Sequence, residues 1–380
     1  MTTRSPSAHP KPRVLVLFGG RSSEHAVSCV TAAGVLTAID RNKYDVVPVG
    51  IARNGQWALV PEDPSTWSLR SDTPPEVLAC AEAVVLATAS TDGASQELLS
   101  TAPDRMPRSL GGIDVVLPLL HGPFGEDGTL QGMLEMADAR YVGAGVLASA
   151  VGMDKHFMKV VFAAAGLTVG PYEVLTDRQW RNDPAACLER AARLGFPVFV
   201  KPARAGSSMG ISRVGSTQGL RAAIEQARQH DPKVIVEEGI IGREIEVAVL
   251  EGRGTSEPRT SLPGEIAVQP GAHEWYDFEA KYVDGAAAQL SCPADLPAPA
   301  TERVRALAAA AFDAVGCEGL ARVDFFYTPD GDLIVNEINT MPGFTPISMY
   351  PQMWAKSGLG YTELIDELIS LALARKTGLR

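Results

Sequence analysis

The apolar positions of this chain follow two rhythms. Short continuous runs such as Arg13-Val-Leu-Val-Leu-Phe18, which ends in Gly19-Gly20, read as strands buried on both faces, while the segments between them repeat apolar residues at helical spacing. The first run predicts a strand, after which Ser22 or Ser23 caps a helix running to about Ile39. Further strands are expected at 45–51 and 113–119, and a helix at 128–139. Strands alternating with helices imply a parallel sheet whose functional loops leave the carboxyl ends of the strands. Residues 52–108, rich in Pro, Ser, Thr and Ala, read as an elaboration carrying one strand near 82–88.

The pattern changes near Val151, where a helix bearing Lys155 and Lys159 begins. A helix at 183–194, strands at 197–201 and 211–214, a helix at 218–229 and a strand at 233–238 make a small α+β unit. The last unit opens at 244–250, continues at 266–269, is interrupted by an irregular stretch at 274–285, and resumes with a helix at 299–315 and a C-terminal helix from Tyr361. The expected division is a disordered tail at 1–12, an α/β domain at 13–150, and α+β domains at 151–240 and 241–380.

Residues 318–343 concentrate the polar chemistry. They read as two strands reversing at Pro329-Asp330-Gly331-Asp332. Side chains alternate between faces, so Arg322 and Asp324 share one face and Val323, Phe325 and Tyr327 take the other. On the second strand regular alternation groups Glu337 and Asn339 with Leu333 and Val335, with Ile334 and Ile338 pointing away. A four-residue loop sets Asp324 opposite Glu337 and Arg322 opposite Asn339, and a five-residue loop spoils this register. Facing carboxylates repel unless a cation lies between them, and oxygen donors suit Mg²⁺ or Mn²⁺ better than zinc. A solvated polar face is the plain alternative. Arg322, two residues before Asp324, favours chemistry, because it can stabilise an anion beside a metal.

Composition narrows the classes. A chain of 380 residues with 46% hydrophobic and 21% charged positions is an ordinary globular protein of two or three domains. Its net charge of −11 and lack of a basic run argue against nucleic-acid or membrane-surface binding. No apolar run is long enough for a membrane span. Cys29, Cys80, Cys187, Cys292 and Cys317 are odd in number and scattered, which suggests reduced thiols in the cytoplasm.

Several motifs compete for the chemistry. Lys201 ends a strand and is followed by the small residues of 203–210, whose N–H groups can close over phosphates, although the chain has no Gly-Lys dipeptide and so no Walker loop. Gly206-Ser207-Ser208-Met209-Gly210 also matches the G-x-S-x-G hydrolase pattern, but Pro202 to Ala205 separate it from the strand that a nucleophile elbow requires. Gly143-Ala144-Gly145 lacks the downstream acid of a dinucleotide fingerprint and reads as a tight-packing loop. Lys155 alone is an ordinary solvated lysine. With Lys201 and Glu237-Glu238 it would complete a nucleotide cleft. Glu24, in a first helical turn, also suits the helix dipole alone.

Taken together, Gly19-Gly-Arg-Ser-Ser-Glu-His-Ala-Val-Ser28, His121 with Gly125-Glu-Asp-Gly-Thr-Leu-Gln-Gly132, Met153-Asp-Lys155, Lys201-Pro, Gly206-Ser-Ser208, Tyr276-Asp-Phe-Glu-Ala-Lys-Tyr282, Arg322-Val-Asp324 and Asn336-Glu-Ile-Asn-Thr-Met-Pro-Gly343 form one ordered series. The chain resembles the D-alanine–D-alanine ligases of the ATP-grasp superfamily from about Arg13 to its C-terminal helix. The resemblance implies an α/β N-terminal domain and two α+β domains that grasp ATP. It implies that Lys155, Lys201, Glu237, Glu238, Ile240 and Glu244 contact ATP, with Gly206, Ser207 and Ser208 closing over its phosphates. It implies two Mg²⁺ or Mn²⁺ ions on Asp324, Glu337 and Asn339, a monovalent cation as a further ligand, and an oxyanion held by Arg322 and the Gly343 N–H. Glu24 matches the residue that binds the first D-alanine, His121 lies near it, and Ser348 matches the holder of the second carboxylate. Ser207, Tyr282 and Glu24 match a trio that shuts a mobile loop, and Lys281-Tyr282 is the pattern of dipeptide-forming members. Gly239 departs from the larger residue common there. A cytoplasmic homodimer serving peptidoglycan precursor synthesis is the implied setting.

Overall fold

The computed structural model describes residues 11–67, 74–79, 82–87, 96–101, 105–207, 209–268 and 288–378. Strands Arg13–Gly19, Asp45–Ile51 and Val115–Pro118 pair in parallel, with Trp57–Leu59 antiparallel on one edge. The central strand is buried throughout from Val14 to Phe18, as its continuous apolar run requires. Helix His25–Ala38 follows, but neither Ser22 nor Ser23 caps it; Glu24 is the N-cap residue and makes no capping bond. Ser22 Oγ instead donates to the His121 carbonyl at 2.7 Å and accepts from Glu24 N at 3.2 Å, which ties together two loops at the carboxyl ends of the sheet.

The elaboration holds more structure than its weak periodicity suggested. Its expected strand is Val84–Leu86, and Gln96–Ser100 and Arg108–Ile113 extend it into a three-stranded antiparallel sheet.

At the start of the middle segment one expected helix is two, Val146–Met153 and Lys155–Ala164, broken at Asp154. The Asp154 carboxylate accepts from His156 N and Phe157 N at 3.1 and 3.3 Å and from Lys233 Nζ at 2.7 and 2.8 Å. The break fixes Lys155 as the first helical residue, and its N–H reaches the Ala203 carbonyl at 3.0 Å. The sheet of this segment runs Ser212–Val214, Val198–Pro202, Val234–Glu238 and Tyr172–Leu175, all antiparallel. Tyr172–Leu175 and helix Asp177–Asn182 were not anticipated, although Thr176 and Gln179 form a capping box that the sequence displays.

The last sheet runs Ala288–Ser291, Gly264–Val268, Arg243–Leu250, Leu320–Tyr327 and Leu333–Asn339. Helix Ala298–Ala314 covers one face through Val304, Ala308, Ala311 and Phe312. The hairpin departs from regular alternation. Tyr327 pairs with Leu333, so the loop is five residues long, Thr328 to Asp332. Phe325 then pairs with Val335 and Asp324 with Glu337, leaving Asn336 as a bulge that restores the register. The bulge also corrects the expected faces: Leu333 and Val335 join Ile338, Val323 and Phe325 in the core, while Glu337 and Asn339 line a cleft on the other side.

The chain's two ends share one core. Trp354, Leu364 and Leu368, from helices Met349–Lys356 and Tyr361–Ala374, belong to the same buried cluster as Val14, Phe18 and Val35. Gly319 approaches Gly143 so closely that a Cβ on it would lie 2.8 Å from Gly143 Cα, which accounts for the small residues of the 143–145 loop. The proposed tail, except Lys11 and Pro12, and the stretch 274–285 lie outside the described residues, as does Cys80; the other four cysteines are free thiols. No described helix is long and apolar enough to cross a membrane.

Candidate active site

A cleft of about 1470 Å³ draws its walls from all three segments of the chain. At one end Glu24, at the amino end of the first helix, is buried and accepts a hydrogen bond from Ser207 Oγ. Two glycines box its carboxylate: a Cβ at Gly206 would lie 2.8 Å from Glu24 Oε2, and one at Gly122 would lie 2.3 Å away. Ser207 itself sits in the left-handed region with φ 47°. Its hydroxyl is committed to the Glu24 carboxylate, whereas the nucleophile position of the G-x-S-x-G pattern is Ser208. Ser208, Lys281 and Tyr282 lie outside the described residues, so of the expected trio the Glu24–Ser207 pair is the described part.

His121 is buried beside Glu24. Burial pushes its pKa down, against the opposing charge of Glu24, and the ring is neutral. Nδ1 lies 3.1 Å from the Met341 carbonyl, which can only accept, so Nδ1 carries the proton and Nε2 accepts from Thr31 Oγ1 at 3.2 Å. Glu126 also belongs here, and no role was assigned to it from the sequence even though it stands in the quoted 125–132 motif. Burial, reinforced by the charge of Glu24, raises its pKa to about 8; its Oε1 accepts from Gly122 N at 2.8 Å, and the Met341 N–H also faces it.

At the other end Lys155 Nζ donates to the Ala205 carbonyl at 3.0 Å and lies 3.9 Å from Glu337 Oε2. It thus links the helix start, the glycine-serine loop and the hairpin. Lys201 Nζ lies 2.5 Å from Glu237 Oε2, and Lys159 Nζ lies 2.8 Å from Oε1 of the same carboxylate. Burial alone would raise the Glu237 pKa, but the two lysines override it and hold the carboxyl well below the usual range. Burial likewise opposes the charge on Lys201, yet Glu237 leaves its pKa raised. Lys159 was not singled out as a site residue; its spacing of four from Lys155 on one helix was the available signal. Glu238, Ile240 and Glu244 line the same region, with Ile240 folded over Gly170.

The hairpin forms the floor. Arg322 Nε and Nη2 grip Asp324 Oδ1 and Oδ2, both at 2.7 Å, and Nε lies 3.1 Å from Glu246 Oε1. Burial would lower the Arg322 pKa, but Asp324 and Glu246 raise it well above its ordinary value. Asn339 Nδ2 donates to Asp324 Oδ2 at 3.1 Å. Glu337 faces Asp324 across the pair. No cluster of three His, Cys, Asp or Glu able to hold a metal occurs among the described residues, and the candidate set here is two carboxylates and an amide. Gly343 borders Ser348, whose Oγ accepts from Thr345 N at 3.1 Å and bonds Thr345 Oγ1 at 2.7 Å.

Two α+β sheets closing on lysines, with a carboxylate-bearing hairpin below and an α/β sheet offering Glu24 and His121 from the side, define the ATP-grasp class of ligases. The family models for the N-terminus and the C-terminus of D-ala D-ala ligase match residues 13–144 and 161–370. A D-alanine–D-alanine ligase of Pseudarthrobacter chlorophenolicus is 70% identical over 100% of this chain and 99% of its own length. One from Streptomyces coelicolor is 54% identical over 97% and 95%. Among solved structures, a D-alanine-D-alanine ligase from Coxiella burnetii superposes with a TM-score of 0.78 at 35% identity, covering 97% of this chain and 95% of that one. The VanG D-Ala:D-Ser ligase from Enterococcus faecalis superposes with a TM-score of 0.79 at 37% identity, covering 95% and 99%. The chain belongs to the D-alanine–D-alanine ligase family.

Proposed function

We propose that this protein joins two D-alanine molecules into D-alanyl-D-alanine through an acyl phosphate, with cleavage of ATP to ADP and phosphate, in the cytoplasmic synthesis of peptidoglycan precursors. The observation that carries the reading is the convergence of Glu24, the lysines 155 and 201, and the Arg322–Asp324–Glu337–Asn339 face on one cleft. In the first step the carboxylate of one D-alanine attacks the γ-phosphorus, an O–P bond forms, the bridging P–O bond breaks and ADP leaves. In the second the amine of the other D-alanine attacks the acyl carbon and loses a proton, and phosphate departs from the tetrahedral intermediate.

Glu24 holds the ammonium of the first substrate, with the neutral His121 beside it, and Ser348 turns from Thr345 to the carboxylate of the second. Lys155 and Lys201 meet the phosphates under the loop of Gly206, Ser207 and Ser208, while Glu237, Glu238, Ile240 and Glu244 serve the base and ribose. Arg322 and the Gly343 N–H stabilise the developing oxyanion. Asp324, Glu337 and Asn339 offer hard oxygen donors on one face, the donor chemistry of Mg²⁺ or Mn²⁺. Such ions supply charge neutralisation at the phosphoryl oxygens. A monovalent cation completes the ligand set. The segment 274–285, with Lys281 and Tyr282, acts as a lid that keeps water from the acyl phosphate.

The domain division at residues 150 and 240 and a homodimeric assembly are part of the same proposal. The test is to supply D-alanine, D-serine and D-lactate as second substrates with ATP and to identify the products. D-alanyl-D-alanine as the main product is expected. A depsipeptide, or a D-alanyl-D-serine product in excess, overturns the choice of second substrate.

A further inference from the structure

Lys159 has no part in the roles above, yet it is only 3% exposed and spends its charge on a carboxylate that Lys201 already neutralises. A buried ammonium is costly unless its charge is used. The two cations come from different elements: Lys159 lies one turn after Lys155 on helix Lys155–Ala164, and Lys201 is the penultimate residue of strand Val198–Pro202, next to the strand that carries Glu237. Each lysine takes a different oxygen of Glu237. Phe199, Ile211, Gly170, Ile240 and Phe326 line the same cleft, with the Phe199 ring centroid 5.9 Å from Lys201 Nζ and Ile240 packed over Gly170, so apolar surface suited to a planar base is available in the cleft that holds Glu237. The ribose separates the edge of a base from the phosphates. A Lys201 that serves a phosphate therefore leaves Glu237 with Lys159 as its remaining cation.

We propose that Lys159 is a positioning residue for nucleotide selection: it keeps Glu237 a carboxylate after Lys201 turns to the phosphates, so that Glu237 accepts a hydrogen bond from the 6-amino group of adenine. The inference rests on the ATP-dependent reading above. Without either lysine the buried carboxyl takes up a proton and becomes a donor, which suits a 6-oxo purine as well as a 6-amino one. Lys159 thus sets the preference of the site for ATP over a 6-oxo nucleotide without touching the base itself.

The test is equilibrium binding of ATP and of inosine triphosphate, each with Mg²⁺ and without D-alanine, to the whole protein. Wild type is expected to prefer ATP, and Lys159→Met to reduce that preference about tenfold, the scale of one hydrogen bond to a charged group. Lys159→Arg, which keeps the charge, should retain the preference within about threefold. A general loosening of the fold would weaken both nucleotides equally, so an unchanged ratio in the Met variant overturns the proposal, as does an Arg variant that loses as much as Met. If the Met variant does not fold, Glu237→Gln decides: its amide can donate to a 6-oxo group, so a ratio unchanged from wild type again overturns it. The readout needs no turnover. A protein that binds ATP selectively but shows no D-alanine-dependent ADP release would sink the ligase reading and leave this one standing.

Discussion

Asp324 stands opposite Glu337 although the loop between their strands is one residue longer than that register needs, because Asn336 bulges out of the second strand. A shift of one residue exchanges the faces of a strand. Here the bulge makes that exchange locally, placing Leu333 and Val335 in the core and Glu337 and Asn339 in the cleft. The two carboxylates are thus held face to face by backbone geometry.

Removing one of them should damage chemistry more than stability. Glu337→Gln keeps the volume and removes the charge, and kcat for D-alanine-dependent ADP release should fall on the order of 100-fold, the loss of a few kcal/mol of phosphoryl-charge stabilisation. The thermal midpoint should stay near that of wild type. A steady-state coupled assay beside a melting curve checks both, and unchanged turnover would remove the metal assignment.

The tight box around Glu24 makes a second prediction. Gly206→Ala places a methyl 2.8 Å from Glu24 Oε2, so the carboxylate must move and its bond with Ser207 must loosen. Misplacing a substrate-binding group by a fraction of an ångström is expected to raise the KM for D-alanine about tenfold, with ATP affinity little changed. Initial rates at varied D-alanine and saturating ATP measure this. An equal loss of affinity for both substrates would show that the loop, and not Glu24, carries the effect.

The parts of this site that regular periodicity governs were legible in the sequence. Arg322 and Asp324 share a face as alternation requires, strand Asp45–Ile51 has the expected limits, and Lys201 lies near a strand end before a loop of small residues. Where local geometry overrides alternation the pattern misleads. The Asn336 bulge reverses the expected faces of Leu333 and Val335, and the cap at Asp154 splits a helix that apolar spacing alone continues. Glu126 and Lys159 were missed for another reason: a place in a motif and a spacing of four from Lys155 mark them locally, but their importance comes from contacts with distant segments, Met341 for one and Glu237 for the other, which local spacing does not name.

Asp154 joins two roles whose loss should be measurable together. It caps helix Lys155–Ala164 and is the ion-pair partner of Lys233, whose ammonium also lies 4.3 Å from the Phe157 ring centroid. Asp154→Ala should cost about 2–4 kcal/mol, combining a lost cap with a poorly solvated lysine left without its carboxylate. Urea denaturation gives the number. Because Lys155 is the next residue, the variant should also bind ATP more weakly, whereas a purely structural loss would leave nucleotide affinity intact in the folded fraction.

Glu126 should leave a signature in the pH dependence of stability. Its carboxyl titrates at about 8 in the folded protein against 4.5 as its ordinary value, raised by burial first and by the neighbouring Glu24 charge second. Below pH 4.5 both folded and unfolded forms are protonated at this position, and it sets no difference between them. Between 4.5 and about 8 the unfolded chain releases the proton while the folded one retains it, so rising pH favours unfolding. Above about 8 both are ionised and the loss is complete. Glu126→Gln removes this contribution while its amide oxygen can still accept from Gly122 N. The stability of the variant, followed by urea unfolding at a series of pH values, should therefore decline less than that of wild type between pH 4.5 and 8. Other groups are common to both proteins and cancel in the difference. Parallel curves across that window would show that Glu126 titrates alike in the folded and unfolded chain, and that its burial among Glu24, Gly122 and Met341 carries no proton linkage.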